Sequence, residues 1–299
     1  MKEALTREQF DILEQYATSK QNRRMDDLVK TTKYDVDKIN SIKSELKSLG
    51  YLDSESITKS GLEIMENYKV KRAVFFAAGF GSRLKPITLN TPKPLVRVNG
   101  RRIIEGLLDA VVAAGIEEII IVRGYLAEEF DILLKKYPNI KFIDNKDYDK
   151  ANNIGSALLA KDLLSNAYVF EADLLIYNPD IVKKYHYKSN FLGIKKEKSD
   201  DWCLVTDNGI IIEDKLGGTN CYQMVGISYW DEKDGKKLSK HIEEAFNKLP
   251  GGRELYWEQV PLDRFKDEYK VEIRECLQED IIEIDTFKEL QQIDEKYIV

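Results

Sequence analysis

"AAGFGSRLKPITLNTPKPLV", Ala77 to Val96, carries two glycines, a serine, an arginine, two lysines and three prolines, with neither helical nor strand periodicity. It follows on "RAVFFAAG", a short apolar run that reads as a buried strand. Gly79 and Gly81 permit backbone conformations closed to residues with a Cβ, so successive amides can face an anion at close range. Arg83 and Lys93 add fixed positive charge. A lone GxG says little: Leu84 stands where the dinucleotide-binding pattern needs a third glycine, and no GK[ST] follows as a phosphate loop requires. What sets this stretch apart is its length, with Gly79, Gly81, Ser82, Arg83, Leu84, Pro86, Thr88, Thr91, Pro92, Lys93 and Pro94 in one run after a strand.

Beyond the loop, strand and helix patterns alternate. "IIEGLLDAVVAAGI" reads as an amphipathic helix ending at Gly115, "EEIIIVRG" as a strand, "AEEFDILLKKY" as a helix and "IKFIDN" as a strand. "NIGSALLAKDLL" is then a helix and "AYVFEADLLI" a strand. This order predicts an α/β domain over 70–299, with a mainly parallel mixed sheet covered by helices on both faces. Ligands of such sheets bind beyond the carboxyl ends of the strands, which is where the quoted loop lies.

Residues 1–69 read differently. Thr6 caps a helix carrying Phe10, Leu13 and Tyr16, and a short helix follows near Met25 to Val29. A third helix sets Val36, Ile39, Ile42, Leu46 and Leu49 on one face and stops at Gly50. "YLDSESITKSG" suits a two-stranded wing and "GLEIMENY" a closing helix, so the segment resembles a small winged helix-turn-helix domain. Lysines 33, 38, 43 and 47 give the third helix some positive charge, which Asp35, Asp37 and Glu45 dilute. DNA binding by this segment stays open, as does a docking or dimerisation role.

The 299 residues, 43% hydrophobic, suffice for two unequal domains, and the net charge of −6 argues against a protein that coats nucleic acid or anionic membrane. Three cysteines, Cys203, Cys221 and Cys276, are widely spaced and form no CxxC, so neither a disulfide framework nor a zinc site is indicated. The beginning "MKEALTREQF" has no apolar signal core and no apolar run reaches membrane-spanning length, so a cytoplasmic location is expected. His186 and His241 lie in polar stretches, are expected to be exposed, and are given no role.

The quoted run resembles the signature of the nucleotidyltransferases that activate sugars and alcohols from a nucleoside triphosphate and a phosphomonoester, matching every fixed position of AAGxGxRLxPxTxxxPKxLV. "DWCLV" (201–205), "GISYWD" (226–231), "ELYWEQ" (254–259) and "IIEIDT" (281–286) are similar to segments of the bacterial CTP:phosphocholine cytidylyltransferases, so the resemblance spans 71–299. It implies a Rossmann-like nucleotidyltransferase fold and Mg²⁺-dependent transfer of a cytidylyl group from CTP to phosphocholine, releasing pyrophosphate. Ala77, Ala78, Gly79, Gly81 and Ser82 would contact the nucleotide, Arg83 would hold the leaving phosphates, and Lys93 would stabilise charge at the α-phosphate. Asn153 and Ser156 occupy a helix start where the family contacts the nucleotide. Asp173 and Asp285, at strand ends, would share the Mg²⁺. Trp202, Tyr256 and Glu283 align with the choline pocket, where rings and a carboxylate meet a quaternary ammonium. Tyr229 and Trp230 are left to the core. Phosphoethanolamine and 2-aminoethylphosphonate fit the same cage. A winged-helix transcriptional regulator with a nucleotide-sensing domain is the reading from another class, against which the intact Lys93, Asp173 and Asp285 argue. A sugar-1-phosphate enzyme would favour polar residues where these rings stand. Homodimerisation stays open.

Overall fold

The structure, a computed structural model, describes residues 4–18, 23–54 and 56–298. The chain divides into two compact units, Met1–Lys69 with Lys184–Tyr187, and Val70–Lys183 with Lys188–Val299.

The smaller unit is helical. Helices α1 (Arg7–Thr18), α2 (Met25–Thr32), α3 (Val36–Ser48) and α4 (Lys59–Met65) surround one apolar cluster built from Phe10, Leu13, Leu28, Ile39, Ile42 and Leu46. Thr6 caps α1 through a bond from the Gln9 amide to its Oγ1 (3.2 Å), and Gly50 ends α3 at φ 72°. Two residues of the expected apolar face, Val36 and Leu49, are 46% and 50% exposed, because they sit at the ends of α3 beyond the reach of the packed helices. The expected wing reduces to one bridge, Leu52 to Ile57, closed by an Asp53–Ser56 turn; Glu55 lies outside the described residues. His186, expected at the surface, is buried at 5% exposure, with its amide bonded to the Tyr68 carbonyl.

In the larger unit β1 (Arg72–Ala77) runs parallel to its neighbours on both sides and is buried from Ala73 onward. Val74 and Phe76 point to one face, Ala73 and Phe75 to the other, so the run is apolar throughout rather than alternating. A short ribbon, β2 (Arg97–Val98) and β3 (Arg101–Arg102), leads into α5 (Ile103–Ala113), which covers the Phe75 face through Ile104, Leu107 and Val111. β4 (Glu118–Arg123) and β5 (Ile140–Asp144) follow, and α6 (Ile154–Ala160) covers the Val74 face. The stretch 127–135 between β4 and β5 is a 3₁₀ helix rather than the expected α-helix.

The expected strand 167–176 is two strands. β6 (Ala167–Glu171) belongs to the main sheet, whereas β7 (Leu174–Ile176) pairs antiparallel with β11 (Ile281–Glu283) in a separate ribbon. Between β7 and β11 come β8 (Asn190–Asp207) and β9 (Ile210–Trp230), a long antiparallel hairpin, then α7 (Glu232–Lys248) and β10 (Glu272–Cys276); α8 (Phe287–Ile293) follows β11. The seven-stranded sheet has the order β10-β8-β9-β6-β1-β4-β5. The outer hairpin curls, so that Cys203 on β8 opposes both Lys215 and Gln223. Tyr229 and Trp230 are core residues at 1% and 0% exposure. His241, which was expected to be exposed, stacks on Phe265 at 4.1 Å, with Nδ1 2.7 Å from the Tyr269 hydroxyl. Among the described residues no helix is long and apolar enough to cross a membrane.

Candidate active site

A cleft of about 630 Å³ lies at the carboxyl end of β1, with the 77–83 loop as one wall and the curled hairpin opposite. The loop's shape follows from its sequence. Gly81 takes φ 60°, and a Cβ there would lie 2.8 Å from the Lys93 Cβ, so glycine lets Lys93 fold back onto the loop. The Thr88 hydroxyl clamps this arrangement by donating to the Gly81 carbonyl at 2.9 Å. Gly79 opens on free space, with no atom within 4 Å of where a Cβ would stand.

The floor is made where the main sheet and the β7–β11 ribbon meet. β6 stops at Glu171, and the opposition of Leu174 and Glu283 across the ribbon brings Asp173 beside Asp285. The Ile284 amide donates to the Asp173 carbonyl at 3.3 Å, and Glu289 accepts the Asp285 amide at 2.8 Å within the capping box of α8. Both residues are thereby held in place through their backbones.

Lys93 reaches into this floor. Its Nζ is 2.6 Å from Asp173 Oδ2 and 3.1 Å from Asp285 Oδ1, while Arg83 Nη2 donates to the same Asp285 oxygen at 2.7 Å. Burial works against the charge of Lys93, but Asp173, then Asp285 and Glu283, outweigh it and hold the ammonium above its ordinary range. Arg83 and Lys93, expected on phosphates, here rest on carboxylates, Lys93 on both Asp173 and Asp285 and Arg83 on Asp285.

The remaining expected residues converge on the same cleft. Asn153 and Ser156 line it at the start of α6; Asn153 Oδ1 accepts the Trp257 amide at 2.8 Å and Ser156 Oγ accepts from Asn145 at 3.2 Å. Trp202 on β8 and Tyr256 meet edge-on, with centroids 6.1 Å apart and planes at 67°. Glu283 lies with them in the lining, and burial, then Asp173 and Asp285, push its carboxyl well above the usual range.

Two cleft acids escaped the sequence reading, Glu171 and Glu258. Glu171 ends β6 just before the break that precedes Asp173, and Glu258 sits in the turn after Tyr256, so no regular spacing in the sequence marks either acid. Oxygens of Glu171, Asp173 and Glu283 come within 4.8 Å of one another, and Asp173 Oδ1 is buried without a hydrogen-bond partner. These hard oxygen donors, one of them unsatisfied, fit a divalent cation.

Residues 72–209 match the nucleotidyl transferase family. A 2-aminoethylphosphonate cytidylyltransferase of Lancefieldella rimae is 36% identical over 236 residues, 78% of this chain and 95% of the relative. A choline-phosphate cytidylyltransferase of Streptococcus pneumoniae is 32% identical over 228 residues, 75% of this chain and 97% of that one. The solved structure of the CTP:phosphocholine cytidylyltransferase from Streptococcus pneumoniae superposes with a TM-score of 0.70 at 31% identity, covering 75% of this chain and 98% of that one. The chain therefore belongs to the nucleotidyl transferase family. Within it, the chain is a nucleotidyltransferase of the cytidylyltransferase kind.

Proposed function

We propose that the chain transfers a cytidylyl group from CTP to a small phosphate or phosphonate that carries a cationic nitrogen, phosphocholine or a primary-amine counterpart. An anionic oxygen of the acceptor attacks the α-phosphorus, the bond from that phosphorus to the bridging oxygen breaks, and pyrophosphate leaves. The attacking oxygen is already ionised, so no general base is required.

The observation that carries this reading is Lys93, buried to 7% exposure and set between Asp173 and Asp285 beside the glycine loop. Its charge is fixed in advance where negative charge would grow on a reacting phosphate, the preorganised electrostatic help that dominates phosphoryl chemistry. The Ala77, Ala78, Gly79, Gly81 and Ser82 backbone would seat the nucleotide, with Asn153 and Ser156 facing it across the cleft. Arg83 would exchange Asp285 for the leaving phosphates. Asp173, with Asp285 once its cations move to the triphosphate, would hold Mg²⁺, which supplies charge neutralisation to the phosphates. Trp202, Tyr256 and Glu283 would receive the cationic end of the acceptor, since ring faces and a carboxylate both favour a cation.

The test is pyrophosphate release from each of ATP, CTP, GTP and UTP with Mg²⁺, against phosphocholine, phosphoethanolamine, 2-aminoethylphosphonate and glucose 1-phosphate. CTP with a nitrogen-bearing acceptor should turn over, and glucose 1-phosphate should not. Equal turnover with glucose 1-phosphate, or none with any pair, would overturn the reading.

A further inference from the structure

The acids of the cleft fall into two groups. Asp173 and Asp285 are paired with Lys93 and Arg83, whereas Glu171 and Glu258 take part in no ion pair among the described residues. Glu258 is 5% exposed, lines the cleft, and has an Oε2 that is buried and accepts no hydrogen bond. Glu171 projects at Gly226 across the sheet: a Cβ on that glycine would lie 2.7 Å from Glu171 Oε2. Both acids line the same cleft, and after burial the Glu258 charge is what raises the Glu171 carboxyl most. Asp214, whose Oδ2 is also buried and unpartnered, presses on Glu258 in turn.

A buried carboxylate oxygen without a donor is costly, and a neighbouring carboxylate makes it costlier. The expected metal does not relieve it: the residues proposed to hold it are Asp173 and Asp285, and Glu258 also lies outside the close oxygen cluster of Glu171, Asp173 and Glu283. What Glu258 lacks is a hydrogen-bond donor bearing positive charge. A primary ammonium offers three N–H donors. A trimethylammonium offers none and would leave Oε2 unsatisfied behind a shell of methyl groups.

We infer that Glu258 and Glu171, with Glu283 at their side, form a subsite for a primary ammonium group, so that the preferred acceptor is an aminoalkyl phosphate or phosphonate rather than its N-trimethyl analogue. The inference rests on the cytidylyl-transfer reading and names the acceptor class for it. Trp202 and Tyr256 line the same cleft, and Gly226 is the residue that leaves room for Glu171.

Phosphoethanolamine and phosphocholine differ only by three N-methyl groups, which makes them the discriminating pair, with 2-aminoethylphosphonate as a second primary amine. The unaltered protein should show kcat/KM at least about tenfold higher for a primary amine than for phosphocholine. Glu258→Gln keeps the shape but removes the charged acceptor, and should cost the amines about 10- to 150-fold, mostly in KM, with phosphocholine falling less and the preference collapsing. Gly226→Ala, which displaces Glu171 without touching its charge, should erode the preference in the same direction. CTP affinity within about threefold of the unaltered protein certifies that each variant is folded.

Preference for phosphocholine by the unaltered protein, or equal losses for both acceptor types in Glu258→Gln, would overturn the inference. If CTP is consumed with no acceptor, the cytidylyl reading is what fails. Calorimetric titration of 2-aminoethylphosphonate and phosphocholine into the unaltered protein and Glu258→Gln then judges the subsite alone. Tighter amine binding that depends on Glu258 supports it, and its absence overturns it.

Discussion

Lys93 Nζ stands 2.6 Å from Asp173 Oδ2, a contact that joins the first loop of the sheet to the point where β6 gives way to β7. The lysine side chain is 9% exposed and the aspartate 22%, so solvent screens the pair weakly. Pairs of this kind contribute little net stability, because desolvation opposes the attraction. Their value here lies in placement: a cation and a carboxylate are fixed side by side in the cleft.

Replacing Lys93 with Met retains the buried stem and removes the charge. The expected result is a fall in kcat of about 10²- to 10³-fold, the loss typical of one preorganised donor to a developing negative charge. Steady-state kinetics at saturating CTP measure it. A loss below about tenfold would remove Lys93 from the reacting phosphate.

Chelation of divalent cations by EDTA should abolish turnover, and excess Mg²⁺ should restore it. Asp173→Asn should raise the Mg²⁺ concentration for half-maximal rate by about tenfold or more, since a carboxylate is the ligand a hard cation favours. A Mg²⁺ dependence unchanged in Asp173→Asn, yet shifted in Glu171→Gln, would move the metal onto the Glu171 side of the oxygen cluster.

Trp202→Ala and Tyr256→Ala should each raise KM for the acceptor by about 2- to 30-fold, as expected for a ring facing a cation, and leave KM for CTP nearly unchanged. Equal effects on both substrates would place these rings in the frame of the cleft rather than in the acceptor pocket.

Stability should respond to pH through Glu258. Burial, with Asp214 adding to it and a backbone hydrogen bond opposing, pushes its carboxyl from 4.5 up to about 7. The folded protein keeps a proton that the unfolded chain releases in that window. Its stabilising contribution is therefore complete below the unfolded value and is lost as pH rises through about 7. Glu258→Gln has no such loss, so its stability relative to the unaltered protein should grow between pH 5 and pH 8 by on the order of 2–3 kcal/mol. Urea unfolding of both proteins at the two pH values measures the difference, and a gap that stays constant or narrows would contradict it.

The glycine loop was legible because its residue types answer to backbone geometry and anion contact rather than to packing, so Gly81 and Lys93 stand out in any reading. Asp173 and Asp285 were legible as strand ends, but their adjacency was not. It depends on the antiparallel register of β7 and β11, and the apolar run 167–176 hides the break after Glu171. Glu258 was illegible as a buried acid for a similar reason. Its burial requires 253–259 to dock on the start of α6, through the Asn152 side chain on the Glu254 carbonyl at 3.1 Å and Asn153 on the Trp257 amide. Val36 and Leu49 show the converse error, since periodicity continues to the ends of a helix where no partner remains to cover it.

The β7–β11 ribbon pairs Leu174 with Glu283, so a long loop of chain must close before Asp173 and Asp285 can meet. Closing such a loop costs entropy that local contacts do not, so on refolding this floor should form after the shorter-range pairing of β1 with β4 beside the glycine loop.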